Sequence, residues 1–367
     1  MIRRYLPKNI QELVHLYERY VSPLSLVAGF IADNLILLRR VDLWTTNALF
    51  LFYLILASCG ILLINLLETG KIRTRWLVES APIVPVVVQF AFGGLFSGFL
   101  SLYSRSAAYA TSWIFVVIVA GMLLGNERLV RFYVRFRVQI SILFATLFSF
   151  LIFFLPVVFH TIGPQIFLTS GACALAITIV FFAIVMHIVP IPRKELTATA
   201  RSIAVIYIAF NVLYFTNAIP PLPLSLKDAG VYHSVVHSVA SSTYEVQGEE
   251  IPWYAQYLRY NNVFHALPGG NVYVYTAIFA PAGLSTQVLH KWQHYNSQTR
   301  SWDTVASISY PIQGGRDGGY EGYSYIANPQ EGAWRVDVVT QYGQIIGRVT
   351  FSVVYASSSA PYISETK

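Results

Sequence analysis

The sequence predicts a polytopic α-helical membrane domain of about seven transmembrane helices, followed by a small antiparallel β-sandwich, Ig-like or carbohydrate-binding-like in type. Three observations carry this. The 367-residue chain is 55% hydrophobic and only 12% charged, against about 25% charged in soluble domains. Up to residue 219 it breaks into apolar runs long enough to cross a bilayer. After Pro220-Pro221-Leu222-Pro223 the apolar residues change to a twofold period.

Taken in order, residues 1–20 read as a cytoplasmic amphipathic helix at the membrane surface. Asn9 and Glu12 have capping-box spacing, and Ile10, Leu13, Val14 and Tyr17 recur on one face. Arg3, Arg4, Lys8 and Arg19 would face anionic headgroups. The first apolar run lacks a small-residue cleavage site and is read as a retained span.

Seven spans are expected over 21–219: Val21–Leu38, Thr45–Leu67, Ala81–Tyr103, Ala107–Gly125, Val138–Phe159, Pro164–Val189 and Arg201–Ile219. With the N-terminus inside, fourteen basic residues flank the inner ends and three the outer ends, Arg39, Arg40 and Arg105. That bias orients the chain N-in, and an odd span number puts the C-terminus outside, in the periplasm of a bacterium. The expected localisation is the bacterial inner membrane.

Residues 220–225 form a Pro-rich linker, since prolines favour an extended, stiff connection. Over 226–356 about seven short strands are expected: Val231–Val239, Val263–Leu267, Val272–Phe279, Val288–Asn296, Thr304–Tyr310, Trp334–Val338 and Ile345–Val353. Residues 357–367 read as a flexible tail.

Charge divides the same way. Residues 1–225 hold 17 Lys and Arg against 8 Asp and Glu, and residues 226–367 hold 8 against 10. A net-acidic soluble end speaks against nucleic-acid binding. Cys59 and Cys173 both fall in apolar runs, so the soluble end has no disulfide of its own.

The run His290-x-Trp292, then Gly314-Gly315-Arg316-Asp317-Gly318-Gly319-Tyr320 through Tyr323-Ser324, then Trp334-Arg335-Val336-Asp337-Val338 and Gly347-Arg348 resembles the C-terminal domain of bacterial inner-membrane proteins catalogued as domain of unknown function 2914. Ser22-Pro23-Leu24 to Asp33, with Arg40-Val41-Asp42-Leu43, is similar to the membrane half of the same proteins. The resemblance implies an architecture and no agreed activity.

The glycine-rich stretch is the first candidate site. Glycine amides can form an anion nest, Arg316 offers a planar fork, and Tyr320 and Tyr323 can stack on a ligand. The structural alternative has Asp317 capping a turn and Arg316 pairing with Asp337 or Glu321. No Gly-Lys-Ser/Thr follows, so it is not a P-loop. His290, Trp292 and Trp253 join the candidates as aromatic or polar residues of an aromatic-rich domain that holds 15 of 24 tyrosines.

His233/His237 and His290/His294 have four-residue spacing, which puts each pair on one face; they are weak candidates for a metal, and no cofactor is expected. Serines beside His233 lack a nucleophile-elbow pattern, so no catalytic residue is assigned. In the first span Asp33, Asn34 and Arg40 are polar groups in or beside the membrane. Gly94 and Gly98 give one helix a close-packing face that also suits self-association.

The leading functional expectation is a membrane-anchored periplasmic binding or scaffold protein. Its partners would be membrane lipids and another envelope protein or a glycan. A lipid or envelope-precursor transporter is the alternative, and an envelope enzyme the second.

Overall fold

The computed structural model describes residues 42–71, 74–79, 81–106, 112–126, 135–238, 243–249, 262–356 and 361–367. The expected surface helix and first span, with Asp33, Asn34 and Arg40, lie outside these residues, as does Trp253. The chain divides into two compact units, one holding the helices up to Ile219 and the other the strands from Pro220.

The helical unit has seven helices among the described residues: α1 Trp44–Glu68, α2 Arg75–Glu79, α3 Val84–Ser106, α4 Trp113–Asn126, α5 Phe136–Phe159, α6 Pro164–Ile188 and α7 Arg193–Phe215. Five of them, α1, α3, α5, α6 and α7, are long and apolar enough to cross a membrane. Of the expected span at 107–125 the described residues hold an apolar helix, Trp113–Asn126.

Local chemistry moves other boundaries too. Pro192 is the extended N-cap of α7, with Glu195 in the first turn, so the helix begins at Arg193 and not at Arg201. It stops at Phe215, and Asn217 takes a left-handed φ of 59°. Between α5 and α6 the chain turns through left-handed His160 (φ 53°) and Gly163 (φ 124°), and Pro164 opens α6.

Helix α5 is the centre of this unit, buried almost continuously from Leu143 to Leu155. Phe50 of α1 lies 5.3 Å from Phe99 of α3 and 5.4 Å from Phe153 of α5, ring centroid to centroid. Phe148 stacks on Phe210 of α7 at 4.7 Å. Gly94 is filled from within the chain: a Cβ there would stand 2.6 Å from the Tyr53 ring of α1. That helix face therefore serves packing inside the bundle. Two carboxamide contacts tie helix ends together. Asn65 Nδ2 donates to Gln139 Oε1 at 2.8 Å, and Asn126 Nδ2 donates to the Gln89 carbonyl at 3.0 Å, all four residues buried.

The second unit is β-rich: β1 Ser225–Tyr232, β2 Ser234–Ser238, β3 Thr243–Glu249, β4 Asn262–Ala266, β5 Asn271–Phe279, β6 Ser285–Asn296, β7 Ser301–Gln313, β8 Tyr320–Ala327, β9 Gly332–Thr340, β10 Ile345–Tyr355 and β11 Tyr362–Thr366. They form three sheets, ordered β1-β5-β8, β4-β10-β9-β6-β7 and β11-β3-β2. All pairs are antiparallel except β4 with β10.

The three-stranded sheet β1-β5-β8 is the middle layer, and β5 shows why. Val272 and Val274 pack with Trp292, Trp334, Val336 and Phe351 of the five-stranded sheet. On the opposite face Tyr275 and Ala277 pack with Val235 and Val246 of the small sheet. A strand buried on both faces needs apolar groups at every position, which the alternation of valines with tyrosines provides.

Four expectations are corrected here. The single strand expected over Val231–Val239 is two, bent at His233, with β1 in the middle sheet and β2 in the small one. β3 falls where no strand is expected, because its Thr-Tyr-Glu-Val-Gln-Gly-Glu sequence buries only Val246 fully. No strand is expected between Tyr310 and Trp334, yet the second half of the glycine-rich stretch opens β8, paired with β5 from Tyr320↔Ile278 to Ala327↔Asn271. The expected loose tail contains β11, and Lys367 Nζ meets Asp228 at 3.1 Å and Glu365 at 3.3 Å.

Candidate functional site

Residues 314–319 make a tight turn between β7 and β8. The Gly314 amide donates to the Leu284 carbonyl at 2.8 Å, Gly315 to Ala280 at 3.0 Å and Gly319 to Arg316 at 3.2 Å. A Cβ at Gly314 would lie 1.8 Å from the Pro281 carbonyl oxygen, so only glycine fits. These three amides are spent on the chain itself and are not offered to an anion.

Arg316 and Asp317 stand exposed at the turn, with the Arg316 guanidinium 5.7 Å from the centre of the Tyr320 ring. The expected Arg316–Asp337 pair is not made. Asp337 instead takes a two-pronged hydrogen bond from Arg348, directly opposite on β10.

The turn feeds a tyrosine face. On β8 alternate residues point to opposite sides, so Gly322 and Ser324 face the five-stranded sheet while Tyr323 and Tyr325 face outward. Tyr325 pairs across the ladder with Tyr273, and Tyr323 with Tyr275. Ring centroids are 5.2 Å apart for Tyr273–Tyr325 and 6.1 Å for Tyr273–Tyr323. Tyr323 is 37% exposed and Tyr325 50%.

The small sheet covers only part of this face, and its rim adds Tyr244, 6.0 Å from Tyr323 and 4.7 Å from the His237 ring. Burial first, then the Glu321 carboxylate and the neighbouring Tyr320 and Tyr323, push the Tyr244 hydroxyl above its ordinary range. It stays a neutral donor. The result is a step: Tyr273, Tyr323 and Tyr325 form the floor, Tyr244 with His237 the wall, and Glu321 with Arg316 close one end.

His290 and Trp292, two expected binding residues, are fully buried instead. His290 Nδ1 is 2.7 Å from Ser324 Oγ, and its Nε2 is 3.0 Å from both Thr276 Oγ1 and Tyr310 Oη. The Trp292 indole N–H donates to Ser324 Oγ at 2.9 Å. Burial holds His290 down to about 3, so it is neutral, serving as donor at one nitrogen and acceptor at the other. The Ser324–His290 contact looks like a nucleophile–base pair, yet Ser324 is 3% exposed and His290 0%, which closes it to substrate. It is a polar tie between sheets.

The four spaced histidines go to different places. His294 sits beside the Trp334 ring with Nε2 at 3.0 Å from the Glu331 carbonyl oxygen, and His237 lies on Tyr244. His233 Nε2 and His265 Nδ1 both meet Glu249, at 2.9 and 2.7 Å, and the His265 amide donates to it at 2.6 Å. The His233 ring also stacks on Phe264 at 4.1 Å. Burial acts to raise the Glu249 carboxyl, but these hydrogen bonds outweigh it and hold it at about 2. Among the described residues no group of three or more His, Cys, Asp or Glu is arranged to hold a metal.

Of the residues expected from the sequence, Tyr323 lies on this face and Arg316 at its end, Tyr320 stands on the opposite side of β8, and Tyr244, Tyr273 and Tyr325 are partners that sequence reasoning misses. The available signal was Tyr273 alternating with buried valines on a strand: it announces a tyrosine facing away from the main core.

A family model described as a protein of unknown function, domain of unknown function 2914, matches residues 285–353, from β6 to β10. No curated protein matches the chain. Among solved structures, a Pseudomonas fluorescens alkylpurine DNA glycosylase bound to DNA with an abasic-site analogue aligns over 93% of this chain and 98% of its own. Identity is 9% and the TM-score 0.22.

Proposed function

We propose that the chain is a membrane-anchored binding protein of the bacterial inner membrane. Its C-terminal β domain stands in the periplasm and recognises a cell-envelope component or another membrane protein. The observation that carries this reading is the open tyrosine step of Tyr273, Tyr323, Tyr325 and Tyr244. Rigid aromatic rings with polar tips give contact area at low entropic cost, as in other recognition surfaces.

The membrane placement draws on five long apolar helices, and the orientation on the excess of Lys and Arg in alternate loops. The exposed positions of α7 from Ala204 to Phe215 are all apolar, as suits a lipid-facing stretch.

Two experiments test the reading. A reporter active only in the periplasm, fused after Lys367, is expected to be active, and silence there overturns the orientation. Co-purification of the full chain from native membranes is expected to return a partner that the Tyr323→Ala, Tyr325→Ala double variant loses. Equal recovery by both proteins removes the face from the account.

A further inference from the structure

The tyrosine step has a composition of its own. Its floor and wall are tyrosines with one histidine, and among the described residues the charged side chains acting on the Tyr244 hydroxyl at its end are Glu321 and Arg316, one of each sign. An apolar docking site for a greasy helix would present Leu, Ile or Met. A headgroup site would present Lys or Arg beside its aromatics.

We infer that this step binds a neutral glycan chain, its sugar rings lying along Tyr325, Tyr273 and Tyr323 and its edge against Tyr244 and His237; the inference rests on the binding reading above. Charge complementarity supports this. Opposite charges at one end leave the face without net charge, and residues 226–367 as a whole hold 8 basic against 10 acidic residues. Such a face offers an anionic polymer no electrostatic attraction, and an uncharged chain needs none.

Shape supports it as well. Tyr273 makes interplanar angles of 31° with Tyr325 and 43° with Tyr323, so the floor is a row of moderately tilted rings and not an edge-on cluster. A pyranose ring is apolar on its C–H faces and polar around its edge. A tyrosine is apolar on its ring and polar at its tip, so the two match in one orientation. Centroid separations of 5.2 and 6.1 Å place successive rings within the reach of adjoining sugars.

Rigidity adds to both. The floor tyrosines stand on paired strands of the middle sheet, and Tyr244 is held between His237, Tyr275 and Tyr323. Little side-chain freedom is lost on binding.

The test uses the full chain in lipid nanodiscs on an array of neutral and anionic oligosaccharides, with affinities of the hits measured by calorimetry. Neutral oligosaccharides are expected to bind. Tyr325→Ala and Tyr323→Ala are each expected to weaken binding by about tenfold or more, and Tyr325→Phe to stay within about threefold. Both positions are exposed, and circular dichroism of each variant checks that the fold is kept. Binding of anionic chains alone, no binding to the array, or binding untouched by either alanine variant overturns the glycan assignment. A photo-crosslinking residue at position 325 separates the two levels in cells. A protein adduct with an empty array sinks the glycan and leaves the binding reading standing, and no adduct with an empty array sinks both.

Discussion

Arg348 faces Asp337 directly across the β9–β10 ladder and holds both carboxylate oxygens, with Nη2 donating to Oδ2 at 2.9 Å and Nε to Oδ1. Asp337 is the one Asp, Glu, Lys or Arg buried among the described residues, at 5% exposure. Removing its partner leaves an unpaired charge in a poorly solvated place. Arg348→Leu is expected to cost the β domain about 3 kcal/mol. Asp337→Ala, which strands only the more exposed Arg348, is expected to cost less. Urea unfolding followed by tryptophan fluorescence checks the order, and equal small losses contradict the pairing as a stabilising contact.

His290 gives a pH slope. Its folded value of about 3 lies below the ordinary histidine value of 6.5, so between these the unfolded chain takes a proton that the folded chain refuses. Stability therefore falls as pH drops from 6.5 towards 3, by about 1.4 kcal/mol per pH unit from this group. His290→Gln is expected to flatten that part of the profile. A slope of the same size in the variant would rule His290 out as its source.

Glu249 acts lower on the scale. Its folded value of about 2 lies below the ordinary 4.5, so its contribution is present above pH 4.5 and is lost as pH falls towards 2. The clasp with His233 and His265 joins the small sheet to β4 and to the bend between β1 and β2. Glu249→Gln keeps the shape and drops the charge, and is expected to lower stability at neutral pH by on the order of 2 kcal/mol. Thermal melts at pH 7 and pH 3 of variant and parent test it: the gap is expected to narrow at pH 3, and a constant gap contradicts the ionic part of the clasp.

In the helical unit, Asn65 and Gln139 couple α1 to α5 through one buried hydrogen bond. A double-mutant cycle with Asn65→Leu and Gln139→Leu in detergent is expected to return a coupling of about 0.6 kcal/mol, the usual size between membrane helices. A coupling of zero would mean the two carboxamides are adjacent without acting together.

The legibility of the chain followed the strength of each local signal. Long apolar runs placed α1, α3, α5 and α6 within a few residues, because nothing else in a sequence looks like twenty apolar residues in a row. The start of α7 differs because its first turns, Arg193 to Ala200, are too polar to extend an apolar run, while Pro192 serves as the cap. In the β half, β5, β6, β9 and β10 showed by alternation.

β8 was hidden because Gly322 reads as loop. In the fold it is a strand position kept bare for the Tyr310 ring, which would stand 2.6 Å from a Cβ there. The bend at His233 and the return of β11 depend on contacts far along the chain, which no local pattern carries. The site divided in the same way. Tyr320 and Tyr323 stood out beside the glycines, but pairing Tyr273 with Tyr325 needs the β5–β8 register. His290 and Trp292 drew attention as unusual residues, and their burial shows that an unusual residue can be a core tie.

The most direct test of the central claim is site-specific photo-crosslinking of the full chain in native membranes. A crosslinker is placed at position 325 on the tyrosine step, or at position 305 on β7, where Val305 is also exposed. The account predicts a specific adduct from position 325, lost when Tyr323 is also changed to Ala, and none from position 305. Adducts of equal yield from both positions, or none from position 325, would contradict it.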